Sequence, residues 1–140
     1  MGAWMIRRYP GAGLLHAHRT PSKEQIALLE PFERLGLEHI TLVSTPQQAE
    51  HACTALAAAP VWGFDTESKP TFAKNEASEG PHIVQLATPE RAWVFQLHDR
   101  DCRALVADLL ARAGVTKAGF GLGDDRKRIS AKLGVEPAGV

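Results

Sequence analysis

Two carboxylates, Asp65 and Glu67, stand one residue apart at the end of the apolar run Val61, Trp62, Gly63, Phe64. Side chains on a strand repeat every two residues, so both acids fall on one face, their α-carbons roughly 7 Å apart. Trp62 and Phe64 fall on the other face and belong to whatever core backs the strand. Like charges set side by side are unfavourable unless a cation lies between them. Mg²⁺ and Mn²⁺, which prefer oxygen ligands, suit that position. A second acidic pair, Asp99 and Asp101, reads differently. It precedes residues 102–113, where Leu105, Val106, Leu109 and Leu110 repeat with helical spacing, so capping of a helix accounts for it.

A further acidic element lies downstream. Lys117-Ala118-Gly119-Phe120-Gly121-Leu122-Gly123-Asp124-Asp125 joins an apolar segment to a helix through three alternating glycines. A dinucleotide fingerprint would place its third glycine one position later, and a pyrophosphate would here meet two carboxylates instead of open N–H groups. No nucleotide cofactor is therefore expected. The same aspartates suit a hydrated cation shared with Asp65 and Glu67; the structural alternative is that one of them caps the helix. Arg126, Lys127, Arg128 and Lys132 follow as the only dense basic cluster. Such a run is either a solvated helix face or, beside acids and metal, a holder of phosphates.

These groups need a scaffold. At 140 residues the chain has the length of one domain, 44% hydrophobic and 23% charged, with a formal net charge of zero. Charge alone thus points to neither nucleic acid nor membrane, and no apolar run approaches the roughly 18 residues of a membrane span. Two cysteines, Cys53 and Cys102, both in expected helices, make neither a disulfide framework nor a zinc pattern, which fits a reducing cytoplasm. Residues 1–20 hold three arginines, Arg7, Arg8 and Arg19, and no acid, and are expected to form a disordered tail. The domain proper is expected over residues 21–140.

Ser22 to Gln25 matches a capping box and opens a short helix carrying Ile26, Leu28, Leu29 and Phe32, ended near Pro31 and closed by Gly36. Residues 39–43 read as a strand. Thr45 to Gln48 is a second capping box with proline at the first helical position, and the helix sets Ala49, Ala52, Cys53 and Leu56 on one face before Pro60 stops it. His51 reads as a surface histidine. The acidic strand 61–67 follows, then a polar loop, 68–81, longer than most connections. Its one aromatic, Phe72, either stacks on a base or tucks into the core. Residues 83–87 and 92–97 form a hairpin, 102–113 a helix, 115–120 a strand and 124–133 a helix capped by Gly134. This order predicts an α/β domain with a mixed sheet: a three-strand meander, then strand–helix units, with flanking helices. A right-handed crossover would set strand 115–120 parallel to strand 61–67.

Taken together, Phe64-Asp65-Thr66-Glu67, the strand Ile83-Val84-Gln85-Leu86 and the segment from Lys117 to Asp125 resemble the DEDD superfamily of 3′–5′ exonucleases, in its ribonuclease D and Werner-type branch. The likeness spans roughly residues 38–134. It implies an RNase H-like fold and hydrolysis of nucleic-acid phosphodiester bonds from a DNA or RNA 3′ end with two divalent ions, Mg²⁺ or Mn²⁺. Asp65 would bridge both ions, Glu67 would hold the ion that activates water, and Asp125 would support the second. Thr66, Phe72, Gln85 and Lys127 are the expected substrate-binding residues. The family's third motif, with a fourth acidic ligand and a tyrosine, would lie beyond residue 134. The chain ends at Val140 and its one tyrosine is Tyr9. A fragment or a truncated product, incomplete at the C-terminus, is therefore expected. The alternative function is a non-catalytic nucleic-acid-binding module that kept the fold.

Overall fold

A computed structural model describes residues 20–140. Tyr9, the two histidines His16 and His18, and almost all of the expected tail lie outside the described residues. The chain divides into two compact units, Met1–Arg34 and Leu35–Val140.

In the first unit, helix α1 spans Lys23–Ala27, and Ser22 and Gln25 exchange side-chain and backbone hydrogen bonds as a capping box. The helix ends well before Pro31, and Gly36 opens a 3₁₀ turn, Leu37–His39, where closure of the first helix was expected. Ile26, Leu28, Leu29 and Phe32 are all exposed, so no apolar packing extends so short a helix.

The second unit is built on five strands: β1 Ile40–Leu42, β2 Val61–Glu67, β3 Ile83–Ala87, β4 Ala92–Gln96 and β5 Thr116–Ala118. Three helices accompany them: α2 Pro46–Ala57, α3 Arg100–Leu110 and α4 Leu122–Leu133. The sheet order is β1-β4-β3-β2-β5. β2, β3 and β4 form the expected antiparallel meander, while β5 joins β2 and β1 joins β4 in parallel. The acid-bearing strand therefore lies inside the sheet, between β3 and β5.

Register sorts the faces. Phe64 pairs with Leu86, Leu86 with Trp93, and Val84 with Phe95, so these residues share one face with Trp62. All are buried, in one cluster with Ala52 and Leu56 of α2, Cys102, Val106, Leu109 and Leu110 of α3, and Ile129 of α4. All three helices thus add to the core on a single side. Residues of the opposite face are half-buried or exposed, among them Ile40, Leu42, Gly63, Ile83, Gln85, Val94 and Ala118.

Local chemistry fixes the joints. Thr45 and Gln48 cap α2 with Pro46 in its first turn, as expected. The Trp62 indole donates to Leu56 O at 2.7 Å and Ala59 O at 3.1 Å, satisfying carbonyls at the end of α2 from within the core. Asp99 caps α3 by accepting from the Cys102 N–H at 2.8 Å, which also holds its carboxyl below the usual range. Burial pushes both thiols, Cys53 and Cys102, up, so neither is poised as a nucleophile. His51 is exposed, and its ring meets the edge of Trp93 at 6.1 Å. Among the described residues, no helix is long and apolar enough to cross a membrane.

Candidate active site

β2 follows the pattern its sequence dictates. Trp62 and Phe64 are buried, whereas Asp65 and Glu67 are exposed on the face that the helices leave uncovered. Asp65 pairs across the ladder with Gln85 and Glu67 with Ile83, so Gln85 stands beside Asp65 on that face. Among the described residues neither carboxylate joins an ion pair. The donor set is oxygen only, which is the chemistry of a hard divalent ion.

Asp125 reaches this strand from α4. Its carboxylate accepts a short hydrogen bond from the Thr66 hydroxyl, which joins two chain segments remote in sequence. Thr66 also donates its backbone N–H to the Asp65 carboxylate at 2.9 Å. Residue 66 alternates with its neighbours, so its side chain falls on the helix-covered face while Asp65 and Glu67 project from the other. Asp125 consequently arrives at the right strand end without entering the acid pair. Among the described residues no group of three or more His, Cys, Asp or Glu side chains could hold a metal ion. Asp65 and Glu67 fit such an ion in donor type and exposure; Asp125 is engaged by Thr66.

The turn before α4 is shaped by its glycines. A Cβ on Gly119 would lie 2.2 Å from Phe64 O, so only glycine allows β5 to leave the sheet this close to β2. Gly121 takes φ 67° and is the helix N-cap. The expectation that an aspartate caps this helix is corrected: Asp124 and Asp125 sit in its first turn, where carboxylates are favoured by the N-terminal dipole. Sequence reasoning does not single out Phe120, an aromatic between two glycines; it is 100% exposed.

The basic cluster divides. Arg126 is spent on Glu136, Nε to Oε1 at 2.8 Å and Nη2 to Oε1 at 2.6 Å. Lys132 donates to Glu79 O at 2.8 Å and ties the loop 68–81 to α4. Lys127 and Arg128 remain exposed. In that loop Phe72 is 90% exposed, so it does not enter the core. The loop ends are drawn together: a Cβ on Gly80 would lie 2.1 Å from Ser68 Oγ, and the Lys69 N–H donates to His82 Nδ1 at 3.1 Å. A cleft of about 440 Å³ opens there beside Glu67, lined also by Ser68, Lys69, His82, Ile83, Gln96 and His98.

Comparison with known proteins defines the class. Residues 40–140 match the family of 3′–5′ exonuclease domains, and the chain belongs to that family. Its fold is the RNase H-like exonuclease fold of the ribonuclease D type. The structure of Trypanosoma brucei RNase D in complex with RNA U12 superposes with a TM-score of 0.61 at 22% identity, over 72% of this chain and 36% of that one. The Aedes aegypti Nibbler EXO domain gives 0.60 at 23% identity, over 76% of this chain and 51% of that one. The EXD2 exonuclease domain soaked in Mg and GMP gives 0.56 at 20%, over 72% and 54%. The chain thus spans about a third to a half of the length of these structures. No curated protein sequence matches it.

Proposed function

We propose that this chain acts on nucleic acid as a 3′–5′ exonuclease, hydrolysing phosphodiester bonds from the 3′ end with two divalent ions, Mg²⁺ or Mn²⁺. The observation that carries this reading is the meeting of two acidic segments at one strand end. Asp65 and Glu67 share an uncovered face, and Asp125 is delivered to the residue between them. Support for the ions comes from donor chemistry and from the Mg-soaked EXD2 structure; support for the substrate comes from the RNA-bound RNase D. Asp65 and Glu67 would hold the ions, with Asp125 completing the set. Bound divalent ions would stabilise the attacking and leaving oxygens of the phosphodiester.

The chain's own groups position the rest. Thr66 fixes the Asp125 carboxylate through its hydroxyl, and Gln85 offers an amide beside Asp65. Lys127 and Arg128 are the cations of the cluster left for phosphates, and exposed Phe72 is free to meet a base. The test is digestion of 5′-labelled RNA and DNA single strands with Mg²⁺ or Mn²⁺. Cleavage should proceed from the 3′ end, and Asp65→Ala should lower it roughly 100-fold or more, since even an outer-shell change costs about 10–100-fold. Equal digestion by Asp65→Ala would remove the assignment.

A second reading, a nucleic-acid-binding module without chemistry, is favoured by one observation: the three carboxylates form no metal-holding group among the described residues. Binding that persists in EDTA, with no cleavage when metal is supplied, would select it.

A further inference from the structure

Phe120 is the most exposed large apolar side chain of the acid-bearing unit, and its position is not accidental. The parallel register between β2 and β5 pairs Val61 with Thr116, Trp62 with Lys117 and Gly63 with Ala118. Gly119 remains pressed against Phe64 O one step beyond the last pair. Carried one residue further, the same register brings Phe120 level with Asp65. The glycines on either side hold it there. Gly119 cannot carry a side chain, and Gly121 turns the chain through a left-handed conformation into α4. Helix α4 then presents Lys127 and Arg128, both exposed, within two turns of the aromatic ring.

Leaving a phenylalanine fully in water forfeits about 2 kcal/mol of transfer free energy, so the position calls for a ligand that covers it. A ring beside exposed cations is the combination with which proteins hold unstacked nucleic-acid strands: aromatic faces take bases and cations take the backbone. We propose that Phe120 is a stacking platform for a base of a single-stranded 3′ end, the one adjoining the phosphodiester held at Asp65. This rests on the exonuclease reading above and narrows it to substrates whose last bases are free of a duplex, because a paired base cannot offer its face to the ring.

The experiment measures binding of the full chain to a short 5′-fluorescein single strand by anisotropy, with Ca²⁺ replacing Mg²⁺ to suppress cleavage. Phe120→Ala should weaken binding about tenfold, Phe120→Trp should match or exceed the parent, and Phe120→Leu should recover less than Phe120→Trp. A strand abasic at its last or next-to-last nucleotide should bind the parent about tenfold more weakly, yet bind Phe120→Ala no worse than the intact strand does. The parent's preference for the single strand over a blunt duplex should shrink in Phe120→Ala. Because the side chain is wholly exposed, equal thermal melting of the variants verifies that folding is intact. If the parent binds or digests the strand while Phe120→Ala is indistinguishable from it, the platform is wrong and the exonuclease reading stands. If the parent neither binds nor digests it, both fall. If Phe120→Ala alters only self-association seen by sedimentation, the ring covers a protein contact and the proposal is overturned.

Discussion

At the scale of single residues, the most consequential contact is that between Thr66 and Asp125. A hydroxyl bonded to a carboxylate contributes more than a neutral pair, about 1.5–3 kcal/mol, and this one ties β2 to the start of α4. Thr66→Val keeps the β-branched shape and removes the donor. It should lower unfolding free energy by about 1–2 kcal/mol in urea titrations, whereas Thr66→Ser should retain most of the stability. Equal losses in both variants would show that packing of the methyl group, not the hydroxyl, carries the contact. Sequence alone put Thr66 among substrate-binding residues because it lies between two acids. It could not show that its side chain turns to the other face and meets a carboxylate fifty-nine positions away. Asp65 and Glu67 were legible because strand alternation is local; the partner of Asp125 was not, because it depends on how two distant elements dock.

At the scale of elements, β5 is held by an unusual internal cation. Lys117 is 2% exposed, lies 5.5 Å from the Trp62 ring centroid, and donates to Arg112 O and, at 2.8 Å, to Ala138 O. Burial, with Arg112 adding to it, pushes its ammonium below the ordinary 10.5. Below its folded pKa the lysine is charged in both folded and unfolded chains, and the cost of burying that charge is fully present. As the pH rises from the folded pKa towards 10.5, the folded chain sheds the proton first and stability from this group increases. Lys117→Met leaves two carbonyls without their donor and should lower stability near neutral pH by about 1–3 kcal/mol. The gap between parent and variant should widen as the pH climbs, read from denaturant unfolding at several alkaline pH values. The elements themselves follow local rules well: both capping boxes, the meander and the Asp99 cap are as sequence chemistry requires. The ends of α1, α3 and β5 fall short of their apolar patterns, because periodicity persists where no neighbour is available to pack.

At the scale of the whole second unit, the last residues act as a strap. The Ala138 N–H donates to Leu110 O at 2.9 Å, the Lys117 N–H to Gly139 O at 2.7 Å, and Pro137 is buried. Glu136 fastens the strap to α4 through Ser130 at 2.8 Å and Arg126, and those two bonds hold its carboxyl below the usual 4.5. A depressed carboxylate adds stability above its unfolded pKa and loses it as the pH falls through the folded value. Glu136→Gln should therefore melt below the parent at neutral pH, with the two melting temperatures converging under acid; a constant offset would contradict the assignment. None of this was legible beforehand, since 135–140 has no periodicity and its bonds reach three separate elements.

The brevity of β5 has a spatial corollary. Its ladder with β2 stops at Gly63, so from Phe64 onward the acid-bearing strand is clasped along one margin only. A longer fifth strand would zip that margin shut. Where it gives out, the peptide edge lies ajar next to the carboxylates, and the doorway to the reaction is made by subtraction of backbone.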